Sequence, residues 1–303
     1  MGWSSSSAPT PRNGFISATN DAASEIGAGH ARWAAHLMSN RWHIGAKQLR
    51  GAIVAYAKRF DLLEVRAVGS ATQAPSTTDR ARGKAAGPRP ARGEEFAPGL
   101  PTLRRWRKSV PPHFQFSVVA GPNLARVRPS EDADRELDAA RAAIDALQAR
   151  CFVLRTPLEV SPASLWRDRI AKLIRRFPQD ATHFVWEPSG VWEVADAAAQ
   201  AREWNVVLAV DPSREPVPAG AVAYVRLRAL GETTSFGASS LERIANAVGP
   251  RREVFAIVET DSAQGEAKQL RRLLRRAAAD AGGGGGRLVR PRRGIVVGDD
   301  EQE

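Results

Sequence analysis

Several short apolar runs in this chain end on an ionisable side chain just before the chain turns into a loop. The side chains in that position are Lys47, Glu64 or Arg66, Arg155, Glu187, Asp211, Arg226 or Arg228, and Glu259. This mixed ring of cations and carboxylates has a definite chemical capacity. A guanidinium group grips a carboxylate or a phosphate through two parallel hydrogen bonds. Glu187 lies between Trp186 and Trp192. In an apolar setting its carboxyl group would hold its proton to higher pH and could act as a general acid or base. Glu187 is therefore the one candidate catalytic residue. Glu64, Arg155, Arg226, Arg228 and Glu259 are candidate ligand contacts, and Trp192, an aromatic at the rim, is placed to stack a sugar or a base. A purely structural role fits the same residues. Arg226 alternates with Val225 and Leu227, so it points inward, where a charge needs a partner. Glu64 and Glu187 are the available partners.

Other chemistries find no support in the spacing. No two histidines or cysteines stand at a metal-ligand interval, so no metal centre is expected, although carboxylate-only magnesium binding stays open. No G-x-S-x-G elbow occurs, and no serine has an evident histidine partner. His43, His113 and His183 stand within or before apolar runs rather than after them, which suits structural roles.

The elements that would position the ring follow a rhythm. The stretch THFVWEPSGVW, Thr182 to Trp192, is the clearest case: an apolar core that delivers a carboxylate and breaks at Pro188. Comparable strands are expected at Trp42 to Gly45, Asp61 to Val65, His113 to Ala120, Cys151 to Leu154, Val206 to Val210, Ala221 to Leu227 and Glu253 to Val258. Helical spacing of apolar residues marks Leu49 to Phe60, Pro101 to Lys108, Glu131 to Ala149, Pro162 to Phe177 with Ser161 as its cap, Val194 to Trp204, Ser240 to Val248 and Ala263 to about Ala279. Eight short strands, most of them followed by a helix, predict a single (β/α)8 TIM-like barrel of the α/β class, whose functional side chains gather at the C-terminal ends of the strands. An open doubly wound sheet is the alternative. It would want a glycine-rich turn after the first strand, and Gly45-Ala46-Lys47 does not supply one. The glycines at 282–286 follow a helix, which makes them a linker, and no cofactor is expected.

Composition sets the limits of the barrel. Residues 1–40 read as a flexible N-terminal extension, 41–280 as the barrel, 69–99 as a low-complexity insertion within it, and 281–303 as a disordered tail. No apolar run reaches about 18 residues, so no membrane span is expected. The N-terminal stretch is not a secretory signal, and the lone Cys151 excludes an internal disulfide framework, so a cytoplasmic protein is expected. The net charge of +11 invites a nucleic-acid reading. Much of it, however, lies in the insertion (Arg80, Arg82, Lys84, Arg89, Arg92) and the tail (Arg287, Arg290, Arg292, Arg293), so a nucleic-acid partner is not the favoured expectation.

The order of the strand ends resembles the YecE-like family of TIM barrels, the domain of unknown function numbered 72. The resemblance runs from about Trp42 to Ala278, outside the insertion. YAKRFDLLEV (Tyr56 to Val65) resembles the family's YA-x-x-F-x-x-VE segment, and LRRWRKSVPPHFQFSVVA (Leu103 to Ala120) its W-x-x-x-x-P-x-x-F-x-F-x-V-K-A stretch. WEPSGVW resembles its W-E-x-R-x-x-W, AYVRLRA (Ala223 to Ala229) its Y-V-R-L-H-G, and GEAKQL (Gly265 to Leu270) the helix after its F-N-N motif. The resemblance retains Glu64, Glu187, Trp192, Tyr224 and Arg226, which adds Tyr224 to the candidate site. It also implies losses. Val119 replaces a lysine, Ser189 an arginine, Arg228 a histidine, and Glu259 and Thr260 a pair of asparagines. A diverged barrel that binds a small anionic or polar ligand at its rim, of unknown activity, is the leading expectation, with its rim narrowed by bridges such as Arg228 to Glu259. An enzyme acting on a small anionic or hydroxylated substrate through Glu187 is the alternative, and nucleic-acid association through basic surface and tails a third. Oligomeric state is left open.

Overall fold

The computed structural model describes residues 41–282 except 48, 50, 67–97, 178–181, 230–234 and 249–252, with the backbone alone at 41 and 277–282. The expected extension, almost all of the insertion and most of the tail therefore lie outside the described residues. Eight parallel strands close into a barrel in the order β1 to β8: β1 Arg41–Ala46, β2 Leu62–Arg66, β3 Gln115–Val119, β4 Cys151–Arg155, β5 His183–Glu187, β6 Val207–Val210, β7 Val222–Leu227 and β8 Glu253–Val258. The helices are α1 Ile53–Ala57, α2 Leu100–Ser109, α3 Pro122–Ala125, α4 Glu131–Leu147, α5 Ser164–Arg175, α6 Val194–Glu203, α7 Ala238–Val248 and α8 Ala263–Gly282. A loop without a helix joins β6 to β7. β1 closes the wall by matching β8 over six positions, Arg41 with Glu253 through Ala46 with Val258, whereas it meets β2 at only two.

Alternation along each strand divides the core in two. Leu62, Val119, Val153, Val185, Ala209, Tyr224, Phe255 and Ile257 face one another inside the barrel. Their neighbours, among them Phe116, Phe152, Leu154, Trp186 and Val258, pack outward under the helices. Burying a side chain of that size contributes about 1.5–3 kcal/mol. Gly45 belongs to the inner parity because no side chain fits there. A Cβ would stand 2.4 Å from the Leu62 carbonyl oxygen and 3.2 Å from Ile257 Cδ1.

Local chemistry sets the helix ends. α4 starts where the Ser130 hydroxyl accepts a hydrogen bond from the Ala133 amide at 3.1 Å. Glu131, Asp132 and Asp134 meet the positive end of its dipole, and Gln148 ends it in the left-handed conformation at φ 52°. Two expectations fail in detail. α5 begins at Ser164 with no side-chain cap, so Ser161 is not the cap, and the apolar Leu165 beside the buried stripe is 53% exposed. α1 is shorter than the stretch Leu49 to Phe60, and Val54 faces outward. In both helices an apolar residue lies one position off the buried stripe.

Candidate functional site

The inward parity of the strands carries charge to one mouth. Glu64 lies near the end of β2, Arg155 and Glu187 are the matched last residues of β4 and β5, and Arg226 is the penultimate residue of β7. Arg228 and Glu259 follow just beyond β7 and β8, where the Glu259 amide donates to the Leu227 carbonyl at 2.9 Å.

Arg226 is the centre of the arrangement. Its side chain is 1% exposed, and those of Glu64, Glu187 and Glu259 are 7%, 9% and 8% exposed. Its Nη1 and Nη2 donate to the two carboxylate oxygens of Glu64 at 3.0 and 2.6 Å. Nε donates to Glu187 Oε2 at 2.6 Å, and Nη1 also reaches Glu259 Oε1 at 2.6 Å. Burial works against the guanidinium charge, but the Glu64 and Glu187 carboxylates outweigh it and hold the group more firmly protonated than in water. The Tyr224 hydroxyl adds a 2.5 Å hydrogen bond to Glu64 Oε1. Burial first, and then the charge of Glu64, push this phenol far above its ordinary range.

A second layer lies above the first. Arg228 Nε donates to Glu259 Oε2 at 3.0 Å, and Nη2 donates to Glu187 Oε1. Arg228 thus bars the mouth from β5 to β8, and its own side chain stays 35% exposed. Burial pushes the Glu259 carboxyl up, but the Arg226 and Arg228 charges prevail and hold it below the usual carboxylate range. Arg155 meets Glu187 Oε2 through Nε at 3.1 Å and is 37% exposed. Asp211, just past the end of β6, lines the β5–β6 side of the mouth. It accepts from the Ser213 amide and hydroxyl at 3.0 and 2.6 Å and from the Arg228 amide at 3.3 Å, which fixes the turn after β6.

Two clefts open beside this ring. One, of about 300 Å³, lies over β5 and β6 and includes Glu187, Ser189, Trp192, Arg214, Arg226 and Arg228 in its lining. The other, of about 320 Å³, lies over β1 and β8 and includes Lys47, Arg59, Glu259, Thr260, Asp261 and Gln264. Glu187 and Glu259 border one cleft each, and Arg228 spans the gap between them.

The strand-end residues Glu64, Arg155, Glu187, Arg226, Arg228 and Glu259 thus meet in one network, and Tyr224 joins it. The expected surroundings of Glu187 do not materialise: its carboxylate faces three guanidinium groups rather than apolar surface. The two indoles are largely buried, with Trp192 reaching the wall of the β5–β6 cleft. Trp186 is fully buried and donates its indole N–H to Thr156 Oγ1 at 3.2 Å. Trp192 is 8% exposed, packs edge-on against Trp186 and donates to the Val160 carbonyl at 2.7 Å. Trp186 is a wall of the core, and Trp192 stands between the core and the cleft.

Sequence reasoning missed three polar centres. The Tyr56 hydroxyl accepts from the Ala46 amide at 2.8 Å and donates to the Leu62 carbonyl at 2.9 Å, tying β1 to β2. Glu136 accepts from Asn123 Nδ2 and the Leu124 amide, both at 2.8 Å. Glu253, at the opposite end of the barrel, gathers His43 Nε2 at 3.3 Å, Arg150 Nη2 at 3.2 Å and His183 Nε2 at 3.6 Å. The signal for this last cluster was present, since His43, His183 and Glu253 all hold the inward parity at strand starts. Among the described residues, no three His, Cys, Asp or Glu side chains are grouped to hold a metal ion, and no helix is long and apolar enough to cross a membrane.

A sequence profile of the family described as "Protein of unknown function DUF72" matches residues 97–288. Two solved structures of DUF72 family proteins share the fold. One, from Enterococcus faecalis V583, is 14% identical with a TM-score of 0.56, over 78% of this chain and 96% of that chain. The other, from Thermotoga maritima MSB8, is 13% identical with a TM-score of 0.55, over 77% and 99%. No curated protein matches the chain.

Proposed function

Because this chain belongs to the DUF72 family, whose function is unknown, we propose a function from the barrel mouth itself: a diverged barrel that binds a small anionic or polar ligand at its C-terminal rim. The observation that carries this reading is the division of labour among the arginines. Arg226 is buried and committed to three carboxylates. Arg155 and Arg228 are each about one-third exposed at the same mouth, and Arg228 and Arg214 border a cleft of about 300 Å³. That is the lower end of the size range of small-molecule sites. Arg155 approaches Glu187 through Nε at 3.1 Å and stays 37% exposed, and a planar guanidinium of this kind recognises carboxylate or phosphate.

The same geometry weighs against acid–base catalysis by Glu187. Three guanidinium groups already engage the Glu187 carboxylate, so a substrate would have to displace one of them to reach it. Titration calorimetry with inorganic phosphate and a series of small carboxylates tests the proposal. Saturable binding is expected, weakened roughly tenfold or more in Arg155→Ala through loss of charge-assisted hydrogen bonds. Failure of every compound to bind, or equal binding by the variant, would overturn it. Turnover of any of them that disappears in Glu187→Gln without unfolding would restore the enzyme reading.

A further inference from the structure

The ring can be read for the class of ligand it accepts, an inference that rests on the rim reading above. The mouth is balanced: Glu64, Glu187 and Glu259 stand against Arg226, Arg228 and Arg155. Arg226 is fixed by burial. Arg228 is not, because it stands on a loop position just past β7 with its side chain 35% exposed. Its guanidinium occupies the place where a ligand's positive group would lie, between Glu187 on one cleft and Glu259 on the other.

We propose that the ligand is a zwitterion: its ammonium or guanidinium group takes the place of the Arg228 side chain between Glu187 and Glu259, and its carboxylate or phosphate receives the displaced Arg228. Physical chemistry favours this exchange over the simpler ones. An anion alone must draw Arg228 off two carboxylates that are each less than one-tenth exposed. That leaves three carboxylates against only two guanidinium groups, Arg226 and Arg155, in a partly dry site, which is costly. A cation alone must compete with a tethered guanidinium whose effective concentration is in the millimolar range or above. A zwitterion supplies a new partner to both the released carboxylates and the displaced Arg228, so no charge is left unmatched. Arg214, in the lining of the β5–β6 cleft, offers a second guanidinium to the ligand's anionic end.

The test uses the full chain at low ionic strength and four probes: 4-guanidinobutyrate, its singly charged halves methylguanidinium and butyrate, and inorganic phosphate. In the wild type, calorimetry is expected to show 4-guanidinobutyrate binding roughly tenfold or more tighter than either half. Arg228→Ala is expected to gain binding of methylguanidinium and to lose the advantage of the zwitterion. Should the alanine variant not fold, Arg228→Lys is read instead. It keeps the ring neutral but holds two carboxylates with a point charge rather than a fork, and binds the zwitterion roughly threefold or more tighter than the wild type. Butyrate or phosphate binding the wild type as tightly as the zwitterion, or no gain of methylguanidinium in Arg228→Ala, overturns this inference and leaves the anion-binding reading standing. If no probe binds either protein, both fall.

Discussion

Arg226→Met removes the cation on which the mouth depends while leaving a side chain of similar length. Four hydrogen bonds to three carboxylates are lost. Tyr224 still serves Glu64, Arg155 and Arg228 still serve Glu187, and Arg228 still serves Glu259. The loss is therefore near the upper end of what breaking one buried pair costs, about 4–5 kcal/mol at pH 7, rather than three times that amount. This is a large part of the roughly 5–15 kcal/mol that stabilises a domain. Urea unfolding followed by far-ultraviolet circular dichroism measures it.

The pH dependence of the loss makes the test specific. In the wild type Glu259 is held below its ordinary value. Its contribution is present above the unfolded value of about 4.3 and fades as pH falls through the folded one. In Arg226→Met, Glu259 loses one of the two guanidinium charges that hold its carboxyl down, so it is expected to rise, and the penalty of burying its charge is greatest at neutral pH and fades as it protonates. The gap between the two proteins should narrow steadily between pH 7 and about pH 4.5. Replacing Glu64, Glu187 and Glu259 by glutamine in the Arg226→Met background should recover most of the stability, because the buried charge is gone with its partner. A gap below about 1 kcal/mol, or one that stays constant on acidification, would refute the argument that Arg226 holds the mouth together by charge.

Two further outcomes follow from the same structure. Glu253→Gln at the lower end of the barrel should cost about 1–3 kcal/mol and lower the melting temperature at pH 7 by several degrees. The His183 and His43 rings, with Arg150, hold the Glu253 carboxyl below its usual range. The wild-type stability that it supplies is therefore present above about pH 4.3 and lost below, and the glutamine variant should show a flatter acid limb. Gly45→Ala should destabilise by about 2 kcal/mol or more, read from the urea midpoint, because the new Cβ meets the fixed Leu62 carbonyl at 2.4 Å. An unchanged midpoint would mean that the β1–β2 wall yields.

The barrel was legible because each strand announces its own end. Glu64, Glu187 and Glu259 terminate apolar runs, and Arg226 is the one charge inside VAYVRL, so parity alone turns it inward toward them. Which donor meets which oxygen was not legible. Glu64 and Glu187 were equal candidates for Arg226, and the folded chain lets one guanidinium serve both, and Glu259 as well, since three strands bring their ends within its reach. The indoles misled for a related reason. Trp186 and Trp192 sit beside a rim residue in sequence, but alternation turns Trp186 to the helix side of β5, and Trp192 follows it there. Glu136 went unnoticed because nothing local in α4 reveals that the short helix α3 will close over it with the Leu124 amide. Candidate residues outside the strand rhythm, such as the arginines of the insertion and tail, lie outside the described residues.

The seam of the wall has a consequence for how the chain is made. β1 finds two matched positions on β2 and six on β8, and His43 is 210 residues from its hydrogen-bonding partner Glu253. As the polypeptide leaves the ribosome, its first strand waits with one edge unsatisfied until almost the whole barrel has been synthesised. Pairing over so long a separation is slow, and an unpaired edge is what neighbouring nascent chains adhere to. The last strand to emerge thus acts as the fastener for the first, and shortening the chain before Val258 should leave a sheet that cannot close.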